Sequence, residues 1–155
     1  MQYCIIPFSG DTMSPWQFLD YITEDNQNPI IDWYGTLPPE AKAIFDIDVK
    51  AFSVTEDWQE TKALRRKFKT LDREHAGMSQ IMFETATQRP RKVEKRHFRA
   101  FGLFNRIDRS FIFFGGCEKH GTLGTLPPHA RTDAMAIMRK FQQGKGTTRE
   151  HPIII

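Results

Sequence analysis

At 155 residues, 39% apolar and 26% charged, the chain suits a single globular domain that buries its own core without disulfides or a structural metal. No stretch approaches the roughly 18 consecutive apolar residues of a membrane span, and the start, Met1 to Pro7, lacks the basic and long apolar regions of a secretion signal. A cytoplasmic protein with no membrane partner is expected. The net charge of +3 conceals a division, because residues 1–61 hold two lysines against eleven carboxylates while residues 62–155 hold twenty Lys/Arg against eight. An acidic part followed by a basic part suits a surface that attracts phosphate on one face.

In chain order, Gln2 to Ile6 reads as a first strand, ended by Pro7 and Ser9-Gly10-Asp11. Ser14 before Pro15 is a helix-start signal, so a helix is predicted from Pro15 to about Glu24. Asn28-Pro29 repeats that signal, and Ile30, Ile31, Trp33, Tyr34 and Leu37 form a helical stripe ended by Gly35 and Pro38-Pro39. A third helix is predicted from Pro39 to Phe52, with Ala41, Ile44, Phe45, Val49 and Phe52 at helical spacings. The part up to residue 61 is thus read as acidic and helical, carrying no chemistry.

Thr55 to Trp58 is predicted to open another short helix, leading into the cationic run Arg65 to Lys69. Met78 to Thr85 reads as a strand, and Thr87 to Glu94, rich in Arg, Lys and Pro, as a mobile cationic loop. Arg96 to Phe104 alternates: Phe98, Ala100, Gly102 and Phe104 share one face, and His97, Arg99, Phe101 and Leu103 the other. After a turn at Asn105 to Asp108, Phe111 to Cys117 is apolar on both faces and should be central in the sheet. Leu126, Ala130, Ala134, Ile137, Met138 and Phe141 form the stripe of a last helix ended by Gly144 and Gly146. Glu150 to Ile155 is either an edge strand or a flexible tail. Residues 78–142 therefore form a sheet-plus-helix unit.

His75, His97, His120, His129 and His151 show no i, i+4 pair and no CxxC companion, so no metal site is expected. Cys4 and Cys117 match no ligand spacing and read as small strand hydrophobes. No phosphate-cradling glycine loop and no nucleophile elbow occur, so no cofactor is expected. What remains is a cluster of cations and imidazoles around one hairpin: Arg91, Lys92, Lys95, Arg96, His97 and Arg99, then Lys119 and His120. Phosphate binding needs such cations. Cleavage of RNA through its 2′-hydroxyl needs a proton acceptor, a proton donor and positive charge at the phosphorus, which His, Lys and Arg supply together. A basic sheet edge that discourages aggregation is the plainer alternative.

Taken together, a strand with Glu84, an aromatic strand with Phe98-Arg99, a strand end Gly116-Cys-Glu-Lys119 and a helix led by Pro127-Pro128 with Ala134 in it resemble the RelE/ParE superfamily of bacterial toxins. The pattern is most similar to the HigB-like, phage-derived branch. The resemblance spans about residues 78–142. It implies an α+β fold: a small twisted, mostly antiparallel sheet with N-terminal helices on one face and a C-terminal helix. It implies a toxin of a toxin-antitoxin system that cleaves mRNA on the translating ribosome, neutralised by an antitoxin protein of helix-turn-helix type. By position, Arg99 would stabilise the scissile phosphate, Lys119 or His120 would transfer protons or neutralise charge, and Glu84 would match the acid of the first motif. His97 joins them from strand parity, and Arg91, Lys92, Lys95 and Arg96 would hold the RNA backbone. Two other readings stay open: a non-catalytic RNA- or protein-binding module of mobile-element origin, and a gyrase-directed toxin of the ParE type.

Overall fold

The computed structural model describes residues 15–71, 77–119 and 126–153. The described residues form, in order, β1 (Gln17–Ile22), α1 (Pro29–Gly35), α2 (Pro39–Val54), α3 (Lys62–Arg65), β2 (Phe68–Thr70), β3 (Ser79–Gln88), β4 (Val93–Asn105), β5 (Ser110–Glu118), α4 (Ala130–Gln142) and β6 (Thr147–Glu150). All six strands join one mixed sheet in the order β2, β3, β4, β5, β1, β6. Only the β1–β5 pairing among them is parallel. The fold is therefore α+β and mostly antiparallel, and its sheet is larger than the small one expected.

Both faces of this sheet are covered. On one, Ile30, Phe45, Val49 and Phe52 from α1 and α2 pack on Phe18, Ile81, Phe83, Phe98, Phe111 and Phe113. On the other, Ala134, Met135 and Met138 of α4 pack on Tyr21, Phe101, Ile112 and Phe114. The alternation predicted for β4 holds, with Phe98, Ala100 and Phe104 in the first layer and Phe101 and Leu103 in the second. The two long helices expected in the acidic part form where their signals lie. Asn28 caps α1 by accepting the Ile31 amide at 3.1 Å, and prolines begin both helices, where a missing N–H costs nothing.

Several expectations are corrected. The helix predicted from Pro15 to Glu24 is instead strand β1. Its residues are apolar on both sides because the strand is buried between β5 and β6, which hides the alternation that betrays a half-exposed strand. Thr55 to Trp58 is not helical. Trp58 turns inward, its indole donates to the Phe52 carbonyl at 2.8 Å, and its ring meets Phe52 and Phe68. Half of the predicted loop 87–94, at its two ends, extends the β3–β4 ladder, which runs without a break from Ser79↔Gly102 to Gln88↔Val93. The edge strand at the C-terminal end is Thr147–Glu150, which shares only Glu150 with the stretch read as edge strand or flexible tail; residues 151–153 are not strand. The predicted strand Gln2 to Ile6, with Cys4, and residues His75 and His120 lie outside the described residues.

An irregularity in β5 decides what the second face carries. Phe101 is opposite Gly115 and Gly102 opposite Phe113, which leaves Phe114 as an extra residue. Gly115 sits at φ 153°, a backbone conformation that suits glycine. This β-bulge inverts the parity of the strand beyond it. Cys117 therefore falls beside Arg99 on the α4 side, while Gly116 turns to Trp33 and Glu118 to Arg96.

Candidate nucleic-acid site on the sheet

The site follows from register. Glu84 on β3 is opposite His97 on β4, and beyond β5 the Lys119 amide donates to the His97 carbonyl at 2.8 Å. Glu84, His97 and Lys119 thus form a cross-strand row, about 5 Å from one strand to the next. The next row holds Met82, Arg99 and Cys117, and the one after it Lys69, Gln80 and Phe101. Because β2 pairs only with Ser79 to Ile81 and the Met82 amide donates to the Lys67 carbonyl at 2.6 Å, β3 is uncovered only beyond Met82. A groove of about 360 Å³ opens there, lined by Arg66, Lys67, Met82, Glu84, His97 and Arg99.

Within the first row the His97 Nδ1 lies 3.2 Å from a Glu84 carboxylate oxygen, and the Lys95 ammonium lies 3.7 Å from the other. Arg99 behaves differently. It is 91% buried, being 9% exposed, and its guanidinium donates only to the neighbouring Phe98 carbonyl, at 2.9 Å, among the described residues. Burial, and then Arg131 nearby, lower its hold on its proton, with the Cys117 thiol and Glu84 acting the other way. Burial, then Arg99, Arg131 and Lys69, likewise hold the Lys119 ammonium below the usual lysine range. Burial pushes the Cys117 thiol up to about 11, so it is protonated at neutral pH.

The predicted residues do not all meet. Glu84, Lys95, His97, Arg99 and Lys119 share one face. Arg96 lies on the opposite face, held by Glu118 at 2.7 and 2.8 Å and placed over the Phe98 ring, so it is removed from the groove. Arg91 and Lys92 are exposed at the tip of the β3–β4 arm, roughly 25 Å along the strand from Arg99 at about 3.3 Å per residue. Phe98 is core, stacked on Phe83 at 5.1 Å between ring centres. Sequence reasoning passed over Arg131, in the first turn of α4, and Lys69 of β2. A cation at a helix start, against the dipole, was the available signal for Arg131.

Such a face can bind an oxoanion, hold a proton acceptor oriented by a carboxylate, and offer an ammonium as proton donor. Among the described residues, no group of three or more His, Cys, Asp or Glu side chains converges as a metal site would require, and no helix is long and apolar enough to cross a membrane. No protein-family model matches the chain, and no curated protein and no solved structure matches it.

Proposed function

We propose that the chain is a HigB/RelE-like endoribonuclease, the toxin of a toxin-antitoxin pair, cutting mRNA on the translating ribosome by acid/base chemistry that requires no metal. The observation that carries this reading is the row Glu84, His97, Lys119 beside the buried guanidinium of Arg99, which has no carboxylate partner among the described residues. The mostly antiparallel sheet, with α1 and α2 on one face and α4 on the other, supports the reading at the level of an α+β fold.

In this mechanism the Glu84 carboxylate, 3.2 Å from Nδ1 of His97, favours the Nδ1–H tautomer, which leaves Nε2 as proton acceptor. Nε2 takes the 2′-hydroxyl proton as that oxygen attacks phosphorus, and Arg99 stabilises the negative charge gained by the non-bridging oxygens. The bond to the 5′ oxygen breaks, and Lys119 supplies the proton that oxygen needs. The products are a 2′,3′-cyclic phosphate and a 5′-hydroxyl end. Lys119 suits the donor role because burial and neighbouring cations make it a stronger acid than an ordinary lysine. Lys95, Arg91 and Lys92 hold RNA backbone along the arm, and an antitoxin of helix-turn-helix type covers the face when cleavage must be silenced.

Expression of the wild type should arrest growth, and Arg99→Ala or Lys119→Ala should abolish the arrest while the proteins remain folded. Equal toxicity of all three would remove the site from consideration. A binding-only role draws on one observation, the exposed cationic arm around Arg91 and Lys92. It predicts salt-dependent RNA binding with no new RNA ends. A gyrase-directed toxin would instead signal DNA damage with mRNA intact.

A further inference from the structure

The groove beside β3 lies on one side of the His97 row. Its lining comes from the corner between α3 and β2, from β3 and from β4, and none of it, among the described residues, from β5. Arg66 stands at that corner as the residue that closes α3. Its neighbour Lys67 is anchored to the edge of β3, because the Met82 amide donates to the Lys67 carbonyl at 2.6 Å. The cations that share the groove are not equivalent. The Lys67 ammonium is taken by both oxygens of Asp48, at 2.8 and 2.9 Å, and Arg99 is buried and bonded to the Phe98 carbonyl. Glu84, the one carboxylate of the lining, already faces His97 and Lys95. Arg66 is exposed, and its guanidinium has no carboxylate partner among the described residues. The outer wall of the groove therefore carries an uncompensated guanidinium fork, the geometry that matches a phosphate. The volume of about 360 Å³ lies at the small end of ligand sites, roughly 300–1,000 Å³, which suits one nucleotide.

The row also sets a direction. The attacking 2′-oxygen lies at His97 and the departing 5′-oxygen at Lys119, which sits on the β5 side of His97. In an in-line displacement these two oxygens stand on opposite sides of phosphorus, so the nucleoside bearing the 2′-hydroxyl extends away from Lys119, toward β3. We infer that the groove is the subsite for that nucleotide, the one on the 5′ side of the cut, and that Arg66 binds the phosphate on its 5′ side. The strand thus crosses the sheet with its 5′ end at the β2 edge and its 3′ end toward β5. Met82, also in the lining, gives the sugar and base an adaptable apolar surface. This rests on reading the face as a nuclease site. It adds a strand polarity and a phosphate upstream of the cleaved nucleotide.

The test uses the full chain and three dinucleotides whose upstream sugar is 2′-deoxy, so that no 2′-hydroxyl can attack: one unphosphorylated, one with a 5′-phosphate and one with a 3′-phosphate. Dissociation constants are measured by NMR titration for the wild type, Arg66→Ala and Arg66→Lys. The 5′-phosphate should tighten binding to the wild type roughly tenfold, the size of one charge-assisted hydrogen bond. Arg66→Ala should erase that gain and bind the other two ligands as the wild type does, a selectivity that a merely structural role would not produce. Arg66→Lys should keep part of the gain. A 5′-phosphate gain absent from the wild type, or persisting in folded Arg66→Ala, overturns the subsite. So does a 3′-phosphate gain lost in Arg66→Ala, which would reverse the polarity. Any of these results, with mRNA still cut by the wild type on translating ribosomes, leaves the nuclease reading standing. An Arg66-dependent 5′-phosphate gain in a wild type that makes no new RNA ends supports the subsite and overturns the nuclease reading. If the wild type binds none of the three dinucleotides, the subsite falls, and RNA ends alone decide the nuclease reading.

Discussion

Arg99 is the residue at which stability and proposed function pull apart. Burying a guanidinium without a counter-ion is costly, and replacing buried charge by an apolar group of similar size is often stabilising. Arg99→Met should therefore raise stability by roughly 1–2 kcal/mol in chemical denaturation. It should also lower RNA cleavage by about 100-fold or more, the usual effect of removing a transition-state donor. Lys119 adds a pH signature. Its pKa lies below the usual lysine range in the folded chain, so between the folded and unfolded values the unfolded chain binds more protons. Its contribution to stability thus rises as pH climbs through that alkaline window. Denaturation midpoints followed across the window should show this rise, and Lys119→Met should flatten it.

Among the elements, the bulge in β5 holds the site together. Without the extra residue Phe114, strand parity would send Lys119 to the α1–α2 side, away from Arg99. Gly115→Val, at φ 153°, should cost on the order of 1–3 kcal/mol through backbone strain. It should also reduce RNA affinity more than its stability loss explains, which binding assays at a temperature where the variant is folded would reveal. A second device ties the C-terminal end to the sheet. His151, buried between Phe45 and Phe113, meets Asp20 of β1 at 2.6 Å, and Asp20 accepts from the α1 cap residue Asn28 at 2.9 Å. His151→Ala should destabilise by about 3 kcal/mol or more, because Asp20 is left buried without that partner, and urea midpoints would measure the loss.

These elements also show what was legible. The helices α1, α2 and α4 and the parity of His97 and Arg99 could be read because caps, prolines and periodicity are local. Strand β1 could not, since Ser14-Pro15 imitates a helix start and Asp20 becomes an acceptable core residue through Asn28 and through His151, 131 positions away. The β3–β4 arm read as a loop because its ordering comes from pairing across the hairpin. The Gly115-Gly116 pair was visible, but the bulge it permits depends on the opposing strand.

At the scale of the whole molecule, the charge division along the chain becomes a division in space. Asp32, Glu40, Asp46 and Asp48 sit on α1 and α2, while Lys69, Lys95, Arg99, Lys119 and Arg131 gather on or beside the opposite sheet face. Asp48 is buried and paired with the groove-lining Lys67 at 2.8 Å, so it offsets that one cation. The arm extends the charge outward through Arg91 and Lys92. An Arg91→Ala, Lys92→Ala double variant should weaken RNA binding similarly for all sequences and lower its salt slope by about 1.4, two contacts at the single-strand value of about 0.7 each, with single-turnover cleavage at saturating RNA unchanged.

The most direct measurement maps RNA ends on ribosomes translating a defined message, with the wild type and with His97→Ala. The account predicts new 5′-hydroxyl ends matched by 2′,3′-cyclic phosphates for the wild type, and a loss of roughly 100-fold or more for His97→Ala, the scale of a general base. New ends formed equally well by His97→Ala, or ends bearing 5′-phosphates, would contradict it.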